Sequence, residues 1–274
     1  MGNLALAYFN RVRPGVATVT GGSWLAAFPA SNVADVDRSK PARSTTAGTS
    51  DTKLNIDLGA AYPIRLIMLD AHNLSDAGQF KVKLGTSSGA SDLYSGSFVN
   101  WLQVTDAESA ITEYGASKGR DFPGICLLAS TITARYVTVE FSDASNTAGH
   151  LDIGYLYAGP ALLPAVNPEY GAWSDGWMDN STSTRTPGGD VISTPLGRYK
   201  MVQLTLGALT QAEGDTVHEI QRVLGTVGRV GFIADVDDMA KSQRYGFIGT
   251  LRALELLDNP EFHRRGNAFV IDQG

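Results

Sequence analysis

Cysteine is almost missing from this sequence: Cys126 stands alone among 274 residues. One thiol cannot close an internal disulfide and cannot build an all-cysteine zinc site. Its setting, Pro-Gly-Ile-Cys-Leu-Leu, is apolar, as expected of a buried structural thiol rather than a nucleophile. Positive charge is also short. The chain carries 22 Lys and Arg against 28 Asp and Glu, a formal charge of −6. It lacks the basic footprint that neutralises phosphates, so sequence-specific nucleic-acid binding is not expected. No apolar run is long enough to span a bilayer and no signal-peptide pattern is present, so no membrane insertion is expected and synthesis belongs in a reducing cytoplasm. Histidine is scarce. The four, His72, His150, His218 and His263, show neither His-x-x-x-His spacing nor a cysteine partner, so neither a metal nor a cofactor is expected.

What is abundant is glycine, 30 residues of it, with much Ser and Thr, in a chain that is 43% hydrophobic and 18% charged. That composition suits a turn-rich, mainly β protein with a substantial core. Two alternating runs, Arg135 to Phe141 and His150 to Ala158, flank a polar turn. In the first, Val137, Val139 and Phe141 share one face; in the second, Leu151, Ile153, Tyr155 and Tyr157 fall on one side. The pattern predicts a pair of half-buried antiparallel strands. Directly after it, Gly159 to Pro168 holds three prolines, which cannot continue a ladder. A first domain is therefore expected over residues 1–160, a linker or arm over 161–189, and a second domain over 190–274.

Along the first domain, Lys53 to Gly59 alternates with Leu54, Ile56 and Leu58 inward, and Tyr62-Pro63 is read as a break. Ile64 to Asp70 is nearly continuous in apolar residues, as a central strand requires. Gln79 to Gly85 alternates again, Trp101 to Val104 is read as a further strand, and Asp106 to Arg120 as irregular. The order Phe28-Pro-Ala-Ser-Asn-Val-Ala-Asp, Leu54-Asn-Ile-Asp-Leu-Gly, Ile64-Arg-Leu-Ile-Met-Leu, Ala134-Arg-Tyr-Val-Thr-Val, closed by Asn146 to Tyr157, resembles the galactose-binding-like (discoidin-type) family. The resemblance implies an antiparallel jelly-roll β-sandwich over residues 1 to about 160, and a surface glycan as a partner.

In the second domain Arg198 to Leu206 alternates as a strand. Thr216-Val-His-Glu219 fits a capping box, so Thr216 and Glu219 are expected to cap a helix that carries Val217, Ile220, Val223, Leu224 and Val227 and ends at Gly225 or Gly228. Val230 to Asp235 and Ala268 to Asp272 read as strands, and Tyr245 to Leu257 is ambiguous between strand and helix. The succession resembles the tail-tube-type domains of distal tail and baseplate proteins from long-tailed bacteriophages. It implies a small β-barrel with one α-helix that builds a ring, with a hexamer favoured over a trimer. The implied partners are the tail tube and baseplate hub proteins, and the implied location is the virion tail tip.

Candidate chemistry is sparse. Gly85-Thr-Ser-Ser-Gly89 matches a nucleophile elbow, but Ala90 onward offers no helical face, so a turn is expected and no enzymatic activity. Asp35-Val-Asp37 and Asp235-Val-Asp-Asp238 could offer oxygens to calcium, yet lack the glycine and distal Glu of an EF-hand and read as turns. Tyr170, Trp173 and Trp177 could stack on a sugar ring. Because no cluster of Asn, Asp and Arg accompanies them, they are read instead as anchors of an arm on a neighbouring subunit.

Overall fold

The computed structural model of the protein describes residues 3–104, 122–169, 171–261 and 264–273. Its first strands are β1 (Ala5–Ala7), β2 (Thr18–Thr20), β3 (Ala42–Arg43), β4 (Lys53–His72) and β5 (Gln79–Gly85). Next come β6 (Tyr94–Ser95), β7 (Val99–Asn100), β8 (Gly124–Ser142), β9 (Asp152–Gly159) and β10 (Ala161–Leu162). Then follow β11 (Trp173–Asp179), β12 (Thr182–Arg185), β13 (Val191–Thr194), β14 (Arg198–Leu209) and helix α1 (Gln211–Leu224). The chain ends with β15 (Arg229–Ile233), α2 (Met239–Tyr245), β16 (Phe247–Leu251), β17 (Asp258–Glu261) and β18 (Arg264–Gln273). Two compact units form: Met1–Leu163 with Gly231–Phe247, and Pro164–Val230 with Ile248–Gly274.

In unit 1 an antiparallel sheet in the order β3-β9-β4-β8-β5-β6, with β2 on β4 and β7 on β5, folds over itself into sandwich-like layers. Its two long strands change partners midway. Lys53–Asp57 of β4 pairs with Tyr136–Glu140 of β8, whose other edge carries β5. Leu66–Leu69 pairs with Gly124–Leu127 of β8 on one side and with Leu156–Gly159 of β9 on the other. The expected break at Tyr62-Pro63 is instead a bend in one strand: Pro63 stays opposite Thr133, and the register shifts between Asp57 and Tyr62. Gly59, at φ 81°, takes the left-handed conformation there that costs glycine least. One core results, joining Leu54, Ile56 and Leu58 to Ile67, Leu69, Phe80, Val137, Val139 and Phe141.

Leu151 and Ile153 enter that core as the alternation requires, but Tyr155 and Tyr157 are buried outside it. The Tyr155 hydroxyl accepts from Asn10 Nδ2 at 2.9 Å, and the Tyr157 hydroxyl lies 2.5 Å from the carbonyls of both Tyr8 and Pro160. The alternation fails beside Ala71, which takes a left-handed φ of 53°, and Gly154, where a Cβ would come 2.7 Å from that of Ala71. Trp101, expected in a strand, follows the short β7 as a fully buried side chain, and the irregular stretch from Asp106 to Arg120 lies outside the described residues.

The single cut after residue 160 that the prolines suggest does not hold. Gly231–Phe247 returns to unit 1, where β15 pairs with β1 through Phe232 opposite Leu6, and β10 takes the other edge of β1. Gly231 cannot be larger, because a Cβ would stand 2.8 Å from Met68 Sδ and 2.9 Å from Ala7 Cβ. Gln243 of α2 is fully buried. It donates to the carbonyls of Trp101 and Pro123 and accepts from the Gln103 amide at 2.7 Å.

In unit 2 the strand order β16-β18-β14-β11 ends open at β11, and the closed barrel implied by the resemblance is not shown by it. Helix α1 packs on β14 and β18 with Val217 and Ile220 buried. Its cap is Thr210, not Thr216. The Thr210 hydroxyl accepts from the Glu213 amide at 3.3 Å, and Glu213 Oε2 accepts from the Thr210 amide at 2.7 Å. Thr216 lies inside the helix, its hydroxyl donating to the Ala212 carbonyl at 2.9 Å, while Glu219 pairs with Arg222. Both Thr-x-x-Glu pairs satisfy the pattern. The earlier one wins because Gln211, Ala212 and Glu213 are good helix formers and extend the helix to the first available cap. The domain boundary expected at residue 189 falls in the turn between β12 and β13, inside this unit.

Candidate functional site

The outer part of unit 2 is a hairpin arm. β11 runs antiparallel to β14 from Trp173 opposite Leu204 to Asp179 opposite Arg198. β12 and β13 extend it as a separate ladder, from Thr182 opposite Thr194 to Arg185 opposite Val191. At the tip the Gly189 amide donates to the Thr186 carbonyl at 3.0 Å and the Thr186 amide to Asp190 at 2.8 Å. From Ser174 to Arg198 every residue is exposed except Thr186, which is half-buried. Val191 at 56% and Ile192 at 61% relative exposure place apolar side chains in solvent on both faces of the ladder.

Of the three aromatics proposed for this arm, Tyr170 lies outside the described residues. Trp173 sits half-buried at the base, whereas Trp177 is 54% exposed, with the Lys200 ammonium 5.6 Å from its ring. Asp175 lies between them on the same strand, and partial burial raises its carboxyl pKa while Lys200 opposes the rise. Arg185, Val191, Ile192 and Leu196 were not singled out from sequence. The sequence signal for them is Thr186-Pro-Gly-Gly-Asp190 between β-branched residues, a hairpin turn at the place where a domain boundary is expected.

A second polar group lies in unit 1, where the loop after β8 meets the ends of β3, β4 and β9. Arg43 Nε and Nη2 donate to the two carboxylate oxygens of Asp152 at 2.7 and 2.8 Å. His150 Nε2 is 3.6 Å from the same carboxylate, and the Phe28 ring centroid is 5.0 Å from the guanidinium. Asn73 holds the segment in place, accepting from the Asp152 amide at 2.7 Å and donating to the His150 carbonyl at 3.1 Å. All three ionisable side chains keep part of their surface in solvent. Such a set can offer donors and acceptors to a polyol beside an aromatic ring. Arg43 and Asp152 lie far apart in the chain, so no local motif announces them.

Elsewhere the chemistry is plain. The Ala90 amide donates to the Ser87 carbonyl in a turn, with no helix behind it. Asp235 is buried against Lys241 at 3.2 Å, and among the described residues no three His, Cys, Asp or Glu gather as metal ligands. Burial pushes the Cys126 thiol up to about 11. No helix among the described residues is long and apolar enough to cross a membrane.

No protein-family model and no curated protein sequence matches the chain. Solved structures do. The family 32 carbohydrate-binding module of Clostridium perfringens NanJ, determined with galactose, is similar over 57% of this chain and 99% of its own, at 13% identity and a TM-score of 0.41. A similar module, CBM32-1 from a family 31 glycoside hydrolase of Clostridium perfringens, covers 55% of this chain and 99% of its own, at 14% identity and a TM-score of 0.37. The lectin domain of lectinolysin, complexed with Lewis B antigen, covers 55% of this chain and 95% of its own, at 16% identity and a TM-score of 0.36.

Proposed function

We propose that the chain is a non-catalytic building block of an adhesion apparatus: unit 2 joins it to further copies through the arm, and unit 1 offers its loop end to a surface glycan. The setting implied by the sequence resemblance is the tail tip or baseplate of a long-tailed bacteriophage, as a ring beside the tail tube and hub proteins. The observation that carries the assembly is the arm. A ladder of two strands is marginal in water unless something covers it; β12–β13 is such a ladder and exposes Val191 and Ile192, with Trp177 and Leu196 exposed next to it. Exposed apolar side chains grouped on one projection are those a partner buries. Sedimentation of the whole chain and of a variant with Asn180–Leu196 replaced by Asn-Gly tests it. The whole chain is expected to sediment as an oligomer and the trimmed chain as a monomer; a monomeric whole chain would sink the proposal.

Glycan binding is favoured by a separate observation, the partly exposed Arg43–Asp152–His150 set beside Phe28. Galactose is the first probe to titrate by calorimetry. Binding heat that disappears in Arg43→Ala supports this part, and no heat from galactose or fucose at millimolar concentration would remove it.

A further inference from the structure

The arm's outer edge carries a pattern that specifies how two copies would meet. β11 ends its sheet, and β12 continues along the same side, since β14 and β13 occupy the other. From the pair Asp179–Arg198 to the pair Thr182–Thr194, the inner strand takes one more step than the outer. The extra residue therefore lies in Pro195–Gly197; on the outer side β11 and β12 follow one another across Asn180–Ser181, where the Ser181 amide donates to Asp179 Oδ1 at 2.8 Å. This outer edge has neither of two common guards, since Trp173 to Arg185 contains no proline and no lysine. It holds three charged residues. Asp179 is engaged by Arg198 at 3.1 Å. Among the described residues the side chains of Arg185 and Asp175 make no hydrogen bond or ion pair, and the charge of Lys200 opposes the burial that raises the Asp175 carboxyl.

We propose that two copies pair antiparallel along this edge about a two-fold axis at Asn180, so that Asp175 of each copy faces Arg185 of the other. In such a ladder, positions equally distant from Asn180 meet. Asp175 then stands opposite Arg185, Trp177 opposite Ser183, and Asp179 opposite Ser181. The two-fold axis repeats each contact, so one register makes two ion pairs and closes a pair of copies; a ring needs a second, head-to-tail contact beside it. A slip of one residue sets Asp175 against Thr184 or Thr186 and loses both. Covering the exposed Trp177 supplies attraction, the added backbone bonds align the two edges, and the charge pairs select the register. The exposed arm from Ser174 to Arg198 is also comparable to the ~20–30 residues a side of a standard interface.

This inference rests on the assembly proposed above, and a charge exchange separates the two. Sedimentation equilibrium of the whole chain would compare the parent with Asp175→Arg, Arg185→Asp and the double exchange. Both residues are exposed, so folding is not at issue. Each single exchange sets two like-charge pairs face to face and is expected to weaken association roughly 10-fold or more, while the double exchange restores it to within about 3-fold. If singles and double all associate like the parent while the trimmed arm is monomeric, assembly stands and this edge contact falls. If the singles weaken association and the double does not recover it, the register is wrong. A parent that is monomeric, or a trimmed chain that keeps its mass, overturns both.

Discussion

The β4–β8 pair and the β11–β14 hairpin with its β12–β13 extension are both long antiparallel ladders, and they differ in what lies over them. Leu54, Ile56, Ile64, Leu66, Ile67, Met68 and Leu69 of β4 are all within 1% of complete burial, so the later half of that strand is covered on both faces. The arm has comparable pairing and almost no cover. Backbone hydrogen bonds contribute little net stability because water offers the same bonds to the open chain. Side-chain burial decides whether a ladder stands alone. One ladder lies inside a core, and the other stands in solvent.

The largest effect is expected where cover is complete. Phe141→Ala empties a fully buried ring position in β8 and should lower stability by about 3–5 kcal/mol in urea unfolding. Next is Gln243→Ala, which strips partners from the carbonyls of Trp101 and Pro123 and the amide of Gln103. A loss of roughly 2–4 kcal/mol is expected from those unmade bonds; an unchanged midpoint would show that the return of Gly231–Phe247 does not stabilise unit 1.

Acidity comes third. His72 is buried against Trp101, with ring centroids 4.4 Å apart, and desolvation lowers its pKa from 6.5 to about 3. The unfolded chain therefore takes up a proton as pH drops below about 6.5, and the folded chain does not until about 3. Stability is complete above that window and falls with pH inside it, by up to ~1.4 kcal/mol per unit. Urea midpoints from pH 7.5 to 4.5 should show the slope, and His72→Leu should flatten it.

Smaller still is the helix cap: Thr210→Ala should cost about 1 kcal/mol and Thr216→Ala less than half of that. Equal losses would mean that the helix starts elsewhere. The arm should respond least. Ile192→Ala is expected to leave the unfolding midpoint of a monomeric sample within ~0.5 kcal/mol while weakening association. A large loss of monomer stability would erase the contrast between the two ladders.

Strands with strict alternation were legible from sequence. Leu54, Ile56 and Leu58 point inward, as do Val137, Val139 and Phe141, because each residue's side follows from its neighbours alone. Legibility failed where geometry is set by a distant residue. Tyr155 and Tyr157 leave the core because Gly154 meets Ala71, because Asn10 donates to the Tyr155 hydroxyl, and because the carbonyls of Tyr8 and Pro160 receive the Tyr157 hydroxyl. The short helix α2 is capped by Asp238 within an acidic turn that resembles any loop. Arg43 and Asp152 become partners only once β3 pairs with β9, through Ala42 opposite Ile153. The helix itself is legible in Val217 and Ile220, while its start is not fixed by the capping pattern alone, because Thr210 and Thr216 both satisfy it.

The return of Gly231–Phe247 to unit 1 has a consequence for how the protein is made. A ribosome releases everything up to Leu163 while one edge of β1 still lacks its strand and Trp101, Gln103 and Pro123 still lack Gln243. About 80 further residues must be synthesised before Phe247 emerges, roughly 4–16 s at ~5–20 residues per second. During that interval the nascent chain holds an incomplete sandwich with an open edge, and the whole of the arm is translated before the unit that precedes it can close. The order of synthesis is therefore not the order of completion, and chaperones that shield strand edges on nascent chains have a defined interval in which to act.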